Sequence, residues 1–271
     1  MVHSAANHLS EMNTDPSTTD ETESTEPGSL GGRLFNIFAA PGEVFEELRS
    51  SQPSHGNWLV PILMSIAMGV VFSLVVFSQP DIVASVFGPQ EAALNARVEA
   101  GKITQAEADQ ALEGMRKMQP LMKYIGIGGA ILGNLFFFVL VSLLMWVLTA
   151  KILGGGIPMS KAFELTGLAS MISVLASVIT MLIVLLKANI NAGPNAALFI
   201  TSFDQSSYLH QFLAAFSFTT IWYNLVLAIG VSRLSGRSFV AAASWIFGVW
   251  FVFRFGMAAA TAWWAHFQTT M

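Results

Sequence analysis

Apolar residues in this chain fall in unbroken runs of about 20 rather than in alternation, the length a helix needs to cross ~30 Å of hydrocarbon at 1.5 Å per residue. The runs predict spans at about 58–78, 124–150, 162–186, 211–231 and 239–264. The first opens at Trp58 and Pro61 and closes at Gln79-Pro80-Asp81, without a charge between. In lipid every backbone polar group must be satisfied within the chain, so helices are the expected spanning element. The predicted fold is all-α: an integral membrane bundle of five transmembrane helices over 57–266, preceded by an N-terminal interfacial amphipathic helix.

The segments between the runs carry their own signals. Residues 1–30 are rich in Ser, Thr, Glu and Asp with little that is large and apolar, and predict a disordered acidic tail. In 31–56, aromatic and aliphatic residues recur at helical spacing around Pro41-Gly42. Pro41 is placed to open a second helical segment, with Glu43 in its first turn. This piece is too short and too charged to span, and predicts an element lying at the interface or packing on the bundle. Residues 81–123 are a polar helical excursion in which Thr104-x-x-Glu107 forms a capping box. Gly129 and Gly133 set a small-xxx-small pattern in the second span, the spacing that lets two helix backbones approach. Gly154-Gly155-Gly156 ends that span, and a basic turn, Ser232 to Arg237, separates the last two.

Composition supports the membrane reading: 54% of residues are hydrophobic, 11% are charged, and the mean hydropathy is +0.59, where a soluble domain carries roughly 25% charge. The net charge of −4 comes from the first 30 residues, which hold six acids and no Lys or Arg. No positive stretch leads into an apolar one there, so a cleaved signal peptide is not expected. With no Cys, disulfides, thiolate zinc sites and Cys nucleophiles are excluded. Lys and Arg divide evenly between the two faces of a five-span layout. Weighting by short loops makes those with Lys151, Lys161, Arg233 and Arg237 cytoplasmic, so the N-terminus is expected inside and the C-terminus outside.

An ionisable residue within a span is a functional candidate by default. The two here are Glu164 and Arg254. In the proposed layout they differ in depth by on the order of 20 Å, so they are not expected to touch. Glu164 is expected near Lys161, and Arg254 near Asp204, His210 or a backbone carbonyl. Asn134 and Asn224, with Thr219 and Thr220, are candidates for hydrogen bonds between helices. No cofactor and no metal site is expected. The five His lie in tails, loops or span ends without zincin spacing, no Gly-x-Ser-x-Gly elbow occurs, and no basic stripe suits nucleic acid.

Phe38, Pro41 and Phe45, then Pro53 and Trp58-Leu59-Val60-Pro61, form a juxtamembrane pattern. With Phe218 to Gly230, and a Ser-Phe-x-x-Ala start after the basic turn, it resembles the prokaryotic members of the Yip (Ypt-interacting protein) domain family over roughly 34–265. The resemblance implies five membrane helices, a cytosolic N-terminus, an extracytoplasmic C-terminus and a non-enzymatic role, in the plasma membrane if the source is prokaryotic. Eukaryotic relatives act in vesicle traffic and bind Rab-type GTPases through an Asp-Leu-Tyr-Gly-Pro motif. This chain lacks it, so small-GTPase binding is not carried over. The expected function is membrane organisation, trafficking or partner-binding scaffolding, with the bilayer and a membrane-protein partner or second copy as partners. The alternative is a transporter or channel component with a polar path near Arg254.

Overall fold

The computed structural model describes residues 28–200 and 207–270. Ser29, in extended conformation, accepts the Gly32 N–H through its hydroxyl at 3.0 Å and caps α1, Leu30–Ala39. Helix therefore begins inside the tail expected at 1–30, and the part of that tail before residue 28 lies outside the described residues. Pro41 sits at the first position of α2, Pro41–Ser50, where its missing N–H is no loss, with Glu43 in the first turn.

Eight further α-helices follow among the described residues. α3 is Gly56–Val76, and α4 (Pro80–Glu99) and α5 (Gln105–Met118) make the polar excursion. α6, Met122–Trp146, continues through a π-helical turn, Val147–Ile152. α7 is Met159–Lys187, α8 Tyr208–Ala215, α9 Phe218–Ser235 and α10 Phe239–Thr270. Among the described residues, β pairing is limited to an isolated bridge between Asn195 and Ser217.

Among the described residues four stretches are long and apolar enough to cross a membrane: Gly56–Val76, the continuous run Gln105–Ile152 containing α6, Met159–Lys187, and Phe239–Met257. The chain is a multi-pass membrane protein in a lipid environment. α9 is 18 residues long but is not among the four, because Thr219, Thr220, Trp222 to Asn224 and Arg233 dilute its apolar character. The span expected at 211–231 is also not one helix. α8 stops at Ala215, Ser217 is extended, and α9 starts at Phe218. The break has a cause: Ala196 N–H donates to Phe216 O and Phe218 N–H donates to Pro194 O. Backbone groups that would continue the helix are tied sideways to the 194–196 segment instead.

One end of the bundle, here called proximal, holds α1 and α2, the starts of α3, α7 and α10, and the ends of α6 and α9. α3, α6 and α7 pack together, α9 lies along α7, and α10 packs on α9 and α8. α1 and α2 lie on α7 and α9. Phe45, Ile37 and Leu48 are fully buried in a core shared with Leu165, Leu168, Val226 and Val231. The apolar face of 31–56 is thus taken up by protein. Burying each such side chain contributes roughly 1.5–3 kcal/mol relative to leaving it in water.

Helix proximity is set by glycines, though not the pair expected. A Cβ at Gly129 or Gly133 would meet nothing within 4 Å. One on Gly69 would lie 2.8 Å from Ala130, and one on Gly126 2.8 Å from Ser73 Oγ. The reason is rotational. The row Gly126-Ala130-Asn134 faces α3, and the row Gly129-Gly133, one residue off, is turned about 100° away. The closest approach is at Gly167, where a Cβ would overlap Trp58 Cα and press on Asn57 O.

Candidate functional site

Two places concentrate polar chemistry, and both are built by the bundle rather than by a local motif. The first is a proximal ion-pair network. Glu164 and Lys161 lie one turn apart on α7, 1% and 5% exposed, with Lys161 Nζ 3.0 Å from Glu164 Oε2. That oxygen makes no well-aligned hydrogen bond and is held by charge alone. Glu164 Oε1 accepts the Ser54 N–H and Asn57 Nδ2, at 2.5 and 2.9 Å. Lys161 donates to Leu48 O at 2.7 Å and Ser51 Oγ at 3.3 Å. Arg33 donates to Glu47 Oε1 at 2.7 Å and Asn57 Oδ1 at 3.3 Å. The Asn57 amide can therefore face only one way, nitrogen to the carboxylate and oxygen to the guanidinium.

Two cations and two anions balance within this network, which joins α1, α2, α3 and α7. The sequence anticipates Glu164 and its neighbour Lys161, but not Arg33, Glu47 or Asn57, whose partners are distant along the chain. Trp58, Phe138 and Phe163 stack beside the network, ring centroids 5.6–5.8 Å apart, and tie α3, α6 and α7 together. Arg237 closes the same end: its Nε donates to Leu153 O at 2.8 Å, taking up a carbonyl at the end of the π-helical turn. Gly155 permits this, since a Cβ there would come within 2.6 Å of Ser235 Cα.

A groove of about 640 Å³ opens at this end between the α1–α2 junction and the start of α10, lined in part by Pro41, Glu46, Arg233 and Phe239. Glu46 and Arg233 are each 53% exposed and 3.7 Å apart. In water such a pair is worth little, between 0 and ~1 kcal/mol.

The second place is a cleft of about 490 Å³ between α3, α6, α7 and α9, in the distal half. Asn134 of α6 and Ser73 of α3 line one wall. Ser173, Ser177 and Thr180 line the α7 side, and Thr219, Thr220 and Tyr223 come from the first turns of α9. Residues 173, 177 and 180 share one helical face, a signal readable in the sequence. None of the described lining residues is charged.

The remaining sequence candidates divide between these places and neither. Glu164 belongs to the network and Asn134 to the cleft. Asn134 makes no bond between helices; its Nδ2 donates to Ala130 O of its own helix at 2.6 Å. Asn224 is buried beside the core of α9, and its Nδ2 has no hydrogen-bond partner among the described residues. Thr219 hydrogen-bonds Ser217 at 2.8 Å, two residues before it on the chain. Polar bonds between helices thus gather in the proximal network instead. Arg254 is half-buried on α10 and lines neither cleft nor groove, so the polar path anticipated near it is not this cleft. Asp204, one of its expected neighbours, lies outside the described residues.

Among the described residues no group of three or more His, Asp or Glu gathers as a metal site. The two sites hold structure and offer hydrogen bonds. Comparison with curated proteins and with solved structures finds no match in either set. The family model of the Yip1 domain matches residues 35–261, from α1 through most of α10, and the chain therefore belongs to the Yip1 domain family.

Proposed function

We propose that this protein works without chemistry of its own, as a membrane scaffold that presents α1 and α2 as a fixed platform to a membrane-protein partner or a second copy. The observation that carries the reading is the buried network of Glu164, Lys161, Asn57 and Arg33, which clamps an amphipathic pair to the bundle where lipid could have received it. Phe35 stands out from that platform, 73% exposed.

In this reading α9 is the fifth span. Its polar residues are acceptable because α2, α7 and α10 pack on it, so lipid sees little of it. The proximal end is cytoplasmic, since Lys151, Arg233 and Arg237 lie in its short turns, and the C-terminus is extracytoplasmic.

The test is a photo-crosslinking residue at Phe35 in native membranes, with a second at Gln110 on the distal excursion. A discrete product from Phe35, weakened by Glu164→Ala, is expected. No product, or equal products from both positions, would sink the scaffold reading. Labelling both termini on one face would sink the five-span layout.

A further inference from the structure

α7 and α9 run together, but α9 has no extended contact with α3 or α6. It meets α6 at the proximal end, through the π-helical turn and the core that Met145 and Leu148 share with Val226 and Leu227. From there the helices diverge distally. The cleft is the space between them, open sideways where a bilayer would lie. Its depth follows from α6: Lys123 and Tyr124 mark the interface, and Asn134 lies ten residues further, ~15 Å, about half of a ~30 Å core.

Lipid tails satisfy no hydrogen bonds, yet beside Gly69, Phe72, Gly126, Ala130 and Ala176 this cleft is lined by eight residues that carry a hydroxyl or amide. Ser73 and Ser177 turn their protons to carbonyls of their own helices, Gly69 O at 3.0 Å and Ser173 O at 2.9 Å. Asn134 uses its amide N–H likewise. These three therefore show the cleft acceptor oxygens. The hydroxyls of Ser173, Thr180, Thr220 and Tyr223 have no partner among the described residues, and each can donate or accept. Acceptor oxygens on α3, α6 and α7 thus share the cleft with unpaired hydroxyls on α7 and α9, in surroundings where unpaired polar groups are costly.

We propose that this cleft binds the headgroup of an uncharged, hydroxyl-bearing glycerolipid of the diacylglycerol class. A glycerol hydroxyl and its ester carbonyls supply both the donor and the acceptors that the walls lack. The tails leave through the opening between α6 and α9. A charged or zwitterionic headgroup would find no countercharge on the lining at low dielectric. The inference is independent of the proximal platform and stands or falls separately from it.

The test uses the full chain in nanodiscs with a diacylglycerol whose acyl chain carries a diazirine. Labelling should map to α6, α7 or α9. Unlabelled diacylglycerol should compete at least tenfold better than phosphatidylglycerol or free glycerol. The near-isosteric triple variant Thr180→Val, Thr220→Val, Tyr223→Phe should label at least tenfold less while unfolding at an unchanged temperature. Ser177→Leu, which fills the cleft, should do the same and gives the reading if the triple variant fails to fold. Labelling no higher than on an unrelated membrane protein means a water-filled cleft and overturns the proposal. So does labelling that both variants leave intact. Equal competition by glycerol assigns the cleft to a soluble solute, and equal competition by phosphatidylglycerol removes the selectivity; either overturns it.

Discussion

The proximal and distal halves of the bundle are assembled from the same helices by different means. Proximally, Gly167 brings α3 against α7, three stacked rings pin α6 to both, and Glu164 and Lys161 bind α1 and α2 on top. Distally α6 and α9 stand apart, hydroxyls go unpaired, and α4 and α5 sit beside the bundle on a few contacts such as Ser85 Oγ to Ile190 N–H at 3.3 Å. The difference teaches where specificity comes from in lipid. Exchanging an apolar lipid contact for an apolar helix contact gains little, so close backbone approach and polar bonds decide which helices stay together. The proximal half has both; the distal half keeps the close approach of α3 and α6 at Gly69 and Gly126, but there α6 and α9 are free to accept something between them.

The comparison can be broken most sharply at Gly167. Gly167→Leu puts a side chain into the backbone of Trp58 and cannot be relieved by a side-chain rotation; destabilisation of about 4 kcal/mol or more is expected, read as loss of monodisperse protein in detergent. The matched change at Gly133, where nothing lies nearby, should leave the protein intact.

Glu164→Ala comes next. It leaves Lys161 buried without its carboxylate and removes the acceptor for Ser54 and Asn57, an expected cost of about 3–5 kcal/mol by thermal unfolding. Proteolysis between α2 and α3 should accelerate. Replacing both charges, Lys161→Met with Glu164→Leu, should recover most of the loss, because it is the unpaired charge that costs.

A smaller change tests the distal half. Ser85→Ala removes the bond to Ile190 and should cost about 1 kcal/mol, seen as faster amide exchange in α4 with α1 and α2 unaffected. Smallest is the α5 cap. The Glu107 carboxyl accepts the Thr104 N–H at 2.8 Å and its hydroxyl at 2.9 Å, and these bonds, the backbone one first, hold its pKa below the ordinary glutamate value. A depressed folded pKa means the contribution is present above the ordinary glutamate range and disappears as pH falls through the lower folded value. Exchange in Gln105–Met118 should quicken over that acidic window, Thr104→Ala should weaken the dependence, and Glu107→Gln, which has no carboxyl to titrate, should abolish it.

Much of the helical layout was legible in the sequence. Run length located α3, α6, α7 and α10, Pro41 marked the start of α2, and Thr104-x-x-Glu107 marked the cap of α5. These are local effects of propensity, capping and hydropathy. What misled was equally physical. Apolarity continued through 211–217, so the break at Phe216 and Ser217, made by bonds to residues 194–196, left no mark in hydropathy. Gly129 and Gly133 had the spacing of a packing motif, but spacing does not say which face of α6 turns inward. Of the candidate residues, Glu164 was visible because charge in a span is rare. Arg33 and Asn57 were not, because a cation outside the spans and an amide at a span end are both common, and their partners lie elsewhere in the chain.

By itself the sequence determined that this protein lives in a bilayer and where its long helices run, because transfer of 20 apolar residues from water is a local property that sums along the chain. Only the tertiary structure decided which helix faces meet, that α1 and α2 are clamped by a buried ion pair, and that α6 and α9 part to leave a hydroxyl-lined cleft. Those depend on rotation about each helix axis and on contacts more than 100 residues apart, such as Asn57 with Glu164, for which hydropathy carries no term.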